Sequence, residues 1–161
     1  MIAFITRLFR SRPYKVDGES MVPAFNRGDH VLGELLVGQR TELSRGDVVV
    51  SERPVISIRP GASDISNRDL KRIVGLPEEH IDLRDGLIYI NEELLDEPWI
   101  AGHRPWEALG SQWITGPKEY WLLGDNRGYS TDSSLYGPVS QDGVLARIWL
   151  RYWPISSWKI F

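Results

Sequence analysis

The sequence predicts a mainly β domain of short strands with a small inserted lobe. Three observations carry that expectation. Apolar residues gather in short alternating or continuous runs, as strands do. Gly- and Pro-containing turns separate those runs at Arg27-Gly28-Asp29, Arg45-Gly46-Asp47, Asp85-Gly86 and Gly137-Pro138. Beyond the N-terminus no stretch keeps a helical period, and there are no repeats or low-complexity tracts.

At 161 residues the chain reads as one domain, long enough to bury a core. Its 42% hydrophobic and 25% charged residues are ordinary for a globular protein. A formal net charge of -3 argues against nucleic-acid binding, which favours a basic domain. With no cysteine, disulfides and thiolate metal sites are excluded, while the compartment stays open. His30, His80 and His103 lack ligand spacing, so neither a metal nor a cofactor is expected. The 7 tryptophans suit a core, and tryptophan also favours membrane interfaces.

Residues 1–9 are apolar, with Ile2, Phe4, Ile5, Leu8 and Phe9, and Arg10, Arg12 and Lys15 follow. The run is too short for a spanning helix, which needs about 20 apolar residues. It is also short for a cleavable export signal and lacks a small-residue cleavage site. Two readings stay open for residues 1–13: an interfacial foot, apolar in lipid and basic at headgroups, or a frayed end or first strand on the core. Residues 14–17 read as a short strand and 30–36 as another. Val48-Val49-Val50 suits a buried strand. Residues 57–67 read as an exposed loop. Residues 70–74 alternate like a half-buried strand, so Lys71 and Ile73 share a face and Arg72 takes the other. Residues 81–90 read as a hairpin around Asp85-Gly86. Asn91-Glu92-Glu93 is a second turn. Residues 98–117, with Trp99, Trp106 and Trp113, read as a loop-rich lobe. Residues 119–123 form a strand that delivers Gly124, and 144–152 a closing strand.

The functional signal lies in four stretches. Gly18-Glu19-Ser20-Met21-Val22-Pro23 reads as a turn that presents a serine. The others are Gly46-Asp47-Val48-Val49-Val50, Lys71-Arg72-Ile73-Val74-Gly75-Leu76-Pro77, and the loop from Gly124 to Ser133. A serine needs a base to attack a carbonyl at neutral pH. A lysine can be that base when burial lowers its pKa. Taken alone, Lys71 reads as a solvent-facing strand lysine.

In order and content the four stretches resemble the type I signal peptidases, serine proteases with a Ser/Lys dyad. The resemblance runs from Tyr14 to the C-terminus. It implies an antiparallel β fold of short strands, with residues 14–161 as catalytic domain and 77–117 as its inserted lobe. It implies Ser20 as nucleophile and Lys71 as general base. Ser130 would hold the lysine amine by a hydrogen bond, and the Ser20 backbone N–H would serve an oxyanion hole. Asp125 and Asp132 are expected to shape the loop by pairing with Arg72 and Arg127. It also implies preprotein signal peptides as substrates, cut after small residues. It further implies work at the cell membrane, with the active site on the extracytoplasmic side. The family's usual spanning helix is missing, so the short apolar and basic N-terminus predicts peripheral attachment, with a soluble form left open.

The sequence departs from the family pattern at Gly18, Ala24, Asp69 and Ser134. The family usually has an arginine at the position of Ser134 and often an aromatic at that of Asp69. Alternatives are a small soluble maturation protease of the same clan and a non-catalytic peptide-binding β domain. A self-cleaving repressor fits poorly, since Ala101-Gly102 follows Ser20 rather than preceding it.

Overall fold

In a computed structural model the chain is built on a large antiparallel sheet; residues 2–36, 42–54, 67–100 and 112–161 are described. Among them the sheet runs β1 (Ser11–Lys15), β2 (His30–Leu35), β11 (Val144–Trp153), β3 (Val48–Glu52), β4 (Arg68–Gly75), β9 (Glu119–Leu123) and β10 (Val139–Ser140). The short β12 (Lys159–Ile160) adds to β11. A second antiparallel sheet runs β7 (Glu93–Leu94), β6 (Leu87–Ile90), β5 (His80–Arg84) and β8 (Gln112–Ile114). Two helices are short: α1 (Ile2–Phe9) and the single turn α2 (Ser133–Tyr136).

The pleat explains why the central strands are apolar throughout. Val48 and Val50 enter a core with Val16, Met21, Phe25, Val31 and Ile148. Val49 points the other way, into a core with Leu43, Ile73, Tyr120 and Leu122. On β9, Trp121 and Leu123 turn to a third core under the small sheet, with Ile81, Leu83, Ile88 and Ile90. Strands covered on both faces bury every residue, so they lose alternation. Burying one such aliphatic side chain contributes about 1.5–3 kcal/mol.

The hairpin of β5 and β6 turns at Asp85 and Gly86, with φ of 52° and 77°. Positive φ at both central residues matches the right-handed strand twist. Asn91 and Glu92 repeat that geometry, with φ of 50° and 73°, and lead into β7.

Two expectations need correction. The first strand is Ser11–Lys15 rather than 14–17. It lies at the sheet edge, where Pro13 lacks only an outward donor. The N-terminus is not frayed either: α1 forms, and Arg7 pairs with Glu34 at 2.9 Å and stacks over Trp149 at 5.0 Å. The expected loop 57–67 lies almost wholly outside the described residues, as does Trp106 in the lobe. Within that lobe, residues 112–114 form β8, and Trp113 packs on Trp121 at 4.6 Å.

Candidate active site

Ser20 sits on the connection between β1 and β2. There the chain folds on itself: Val22 N–H donates to the Glu19 carbonyl at 3.2 Å, and Phe25 N–H to the Met21 carbonyl at 2.8 Å. Met21 and Phe25 are buried and anchor the turn, while Ser20 keeps partial exposure. Gly18 does not take a left-handed φ, and a Cβ there would meet only Ser20 N, at 4.0 Å.

Lys71 comes from the middle of β4, opposite Val49. Its Nζ donates to Ser20 Oγ at 3.1 Å and to the Leu70 carbonyl at 3.2 Å. The residue is only 3% exposed, which removes the solvent-facing reading. Loss of water pushes its amine below the ordinary lysine range. Asp69 and then Asp132 act against that shift, and Arg53 acts with it.

Arg72, one residue along, points to the opposite face. It donates to both Asp125 oxygens at 2.8 and 2.6 Å and to the Gly46 carbonyl at 2.7 Å. The Trp99 ring stacks on it at 5.0 Å. A buried guanidinium is tolerated when its donors are met in this way. The loop thus fixed by Asp125 holds the serine turn. Asn126 N–H donates to the Ser20 carbonyl at 2.9 Å, and Asn126 Nδ2 to the Glu19 carbonyl at 3.1 Å.

The rest of the loop departs from expectation. Asp132 accepts from Gly124 N–H at 3.0 Å, and from Ser134 N–H and Oγ at 3.1 and 2.7 Å. It is the N-cap of α2, with Ser134 as its partner. Arg127 pairs with Glu97 and donates to the Gly124 carbonyl at 3.1 Å. The Ser130 hydroxyl is buried without a hydrogen-bond partner, so the expected bond to the Lys71 amine is not formed. Gly124 makes this crowding possible: a Cβ there would lie 2.3 Å from Ser130 Oγ and 2.6 Å from the Ser20 carbonyl oxygen.

Sequence reasoning missed Asn126 as the clamp on the serine turn, though it lies within the quoted loop. It also missed Arg53, whose Nε and Nη2 donate to Asp69 at 2.7 and 3.0 Å beside the lysine. Beside the serine turn opens a cleft of about 620 Å³, lined by Glu19, Pro23, Leu87, Leu94, Asn126 and Tyr129 among others.

A β scaffold that sets a serine hydroxyl against a desolvated lysine amine has the parts of a serine hydrolase. The family model described as signal peptidase, peptidase S26, matches residues 1–153. Signal peptidase IB of Staphylococcus aureus (strain Mu50 / ATCC 700699) is 27% identical over 177 residues, covering 99% of this chain and 86% of its own. A probable signal peptidase I-2 of Synechocystis sp. (strain ATCC 27184 / PCC 6803 / Kazusa) is 29% identical over 160 residues, covering 96% and 69%. The crystal structure of a signal peptidase I from Enterococcus faecalis V583 matches with a TM-score of 0.50 and 25% identity, over 66% of this chain and 96% of that one. The chain belongs to the signal peptidase family, peptidase S26. It is a serine endopeptidase that removes signal peptides, and its substrates are preproteins that carry them. The non-catalytic reading is thereby set aside.

Proposed function

We propose that Ser20 and Lys71 are the catalytic dyad for signal-peptide removal, with Ser20 the nucleophile and Lys71 the general base. The observation that carries this is the 3.1 Å separation between Ser20 Oγ and a lysine amine stripped of water. The neutral amine takes the hydroxyl proton as Ser20 Oγ bonds to the scissile carbonyl carbon. The carbonyl oxygen becomes an oxyanion, met by the Ser20 N–H. The lysine ammonium then passes its proton to the leaving amine as the C–N bond breaks. Water, deprotonated by the same amine, next cleaves the ester and frees the signal peptide as its acid.

Ser130 keeps the supporting role that the resemblance implies, although its hydroxyl makes no bond to the Lys71 amine here. Asp125, Arg72 and Asp132 support the loop. In this reading residues 14–161 are the catalytic domain and 77–117 its inserted lobe.

The same reading places residues 1–13 at the extracytoplasmic surface of the cell membrane. Among the described residues no helix is long and apolar enough to cross a membrane. Contact at the surface is supported by exposed Phe9 beside the basic Arg10, Arg12 and Lys15. Trp153, Ile155, Trp158 and Ile160 are also exposed, near the C-terminus. Aromatic rings suit the headgroup level, and each basic residue adds about 1 kcal/mol against anionic lipid. A soluble maturation protease is the rival that this contact argues against.

The test is cleavage of a purified preprotein in detergent. Wild type yields mature protein and free signal peptide, and Ser20→Ala yields neither. Substantial cleavage by Ser20→Ala would overturn the reading.

A further inference from the structure

Asp69 and Lys71 are two residues apart on β4, so the pleat puts both on one face. The Lys71 amine lies 4.0 Å from Asp69 Oδ1. Asp69 is also gripped by the Arg53 guanidinium, from the segment that follows β3, which bonds that same Oδ1 and Oδ2. Register explains the meeting: Ser51 pairs with Asp69 and Glu52 with Arg68, and Arg53 N–H then bonds the Asn67 carbonyl at 3.0 Å. The pair is mostly buried, with the Arg53 and Asp69 side chains 22% and 12% exposed.

We infer that the Asp69–Arg53 ion pair is a tuning element of the dyad: Asp69 is a positioning residue that steadies the Lys71 ammonium, and Arg53 weakens that hold. The inference rests on the Ser20 and Lys71 reading and deepens it. It names what sets the pH range in which the lysine is free to act as a base.

The groups that face the amine come from several elements. The serine turn brings the Ser20 hydroxyl, and β4 brings Asp69 and the Leu70 carbonyl. Arg53 follows β3. Asp132 opens α2 and also bears on the lysine, more weakly than Asp69 does. Tyr136 closes α2 with a buried hydroxyl that has no hydrogen-bond partner and that feels both Asp69 and Asp132. Burial pushes that phenol up, so it stays neutral where the enzyme works. Asp69 is therefore the carboxylate with the greatest hold on the lysine, and Arg53 the cation that opposes it.

Burial and Asp69 pull in opposite directions. Burial alone would leave the amine uncharged across a wide range, and a nearby carboxylate restores its affinity for a proton. An opposite charge within ~4–6 Å moves a pKa by about 1–3 units. Arg53 reduces this, because its own charge lies against the same carboxylate.

The experiment is the pH dependence of kcat/KM on a purified preprotein for full-length wild type, Asp69→Asn, Arg53→Gln and Asp69→Glu. Removing the carboxylate favours the free amine, so the rising limb of Asp69→Asn moves to lower pH by about one unit. Removing the guanidinium leaves Asp69 unopposed, so the limb of Arg53→Gln moves to higher pH. Asp69→Glu keeps the charge and stays near wild type. If Asp69→Asn does not fold, the upward shift in Arg53→Gln carries the test, since it retains the carboxylate. Limbs that coincide, or shift the same way in Asn and Gln variants, overturn the inference. The dyad survives that outcome if Ser20→Ala is inactive, and fails separately if Ser20→Ala cleaves.

Discussion

Arg72 grips Asp125 through two hydrogen bonds, at 2.8 and 2.6 Å, from the face of β4 opposite Lys71. One strand thus supplies the proposed base to one side and the clamp for the serine-holding loop to the other. The Arg72 and Asp125 side chains are 9% and 1% exposed. Asp125→Ala leaves a buried guanidinium without its anion and costs about 3–5 kcal/mol. Urea unfolding of the two proteins measures this. A loss below about 1 kcal/mol would place the pair among exposed ones of little weight.

A second expectation concerns the pH dependence of cleavage. Desolvation is the largest influence on Lys71 and lowers its pKa, with Asp69 opposing. The base form is the neutral amine, so kcat/KM rises with pH as the ammonium loses its proton. The rise falls between neutral and alkaline pH, below the ordinary lysine value of about 10.4. A profile governed by a group near pH 6.5 would indicate a histidine base.

Stability carries the same signature. With its pKa lowered in the fold, Lys71 binds a proton less readily folded than unfolded. The unfolded state therefore holds more protons in the window between the lowered value and the ordinary one, and stability rises with pH there. Lys71→Met removes this dependence. The difference in stability between Lys71→Met and wild type is largest at neutral pH, in favour of Met, and shrinks toward pH 10. Parallel stability curves for the two proteins would contradict the desolvation argument.

Two glycines give opposite expectations. Gly124→Ala forces Ser130 and the Ser20 backbone apart, since the new Cβ would sit 2.3 and 2.6 Å from them. It should cost about 1–3 kcal/mol, as overpacking does, and most of the activity. Gly18→Ala has only Ser20 N, at 4.0 Å, to meet and should stay within about 0.5 kcal/mol of wild type. Thermal unfolding and preprotein cleavage of both variants check this.

Much of the fold was legible because it is local. Asp85-Gly86 announces its hairpin, and alternation along β4 puts Lys71 and Arg72 on opposite faces. β1 was misplaced because Ser11-Arg12-Pro13 carries no apolar alternation; its place comes from edge pairing with β2. In the site, the Ser20 and Lys71 positions stood out in their stretches. Their neighbours did not, because they meet through register. Arg53 reaches Asp69 only when β3 and β4 align, and Glu97 reaches Arg127 from the segment that follows β7. The Asp132–Ser134 cap is local and could have been read from Asp-Ser-Ser preceding a helical turn.

The most direct measurement of the central claim compares kcat/KM on one preprotein for wild type, Ser20→Ala, Lys71→Met and the double variant. Nucleophile and base act as a unit, so each single change should remove nearly all cleavage and the double little more. Substantial cleavage in either single variant, or losses in the two that multiply in the double, would contradict a Ser20–Lys71 dyad.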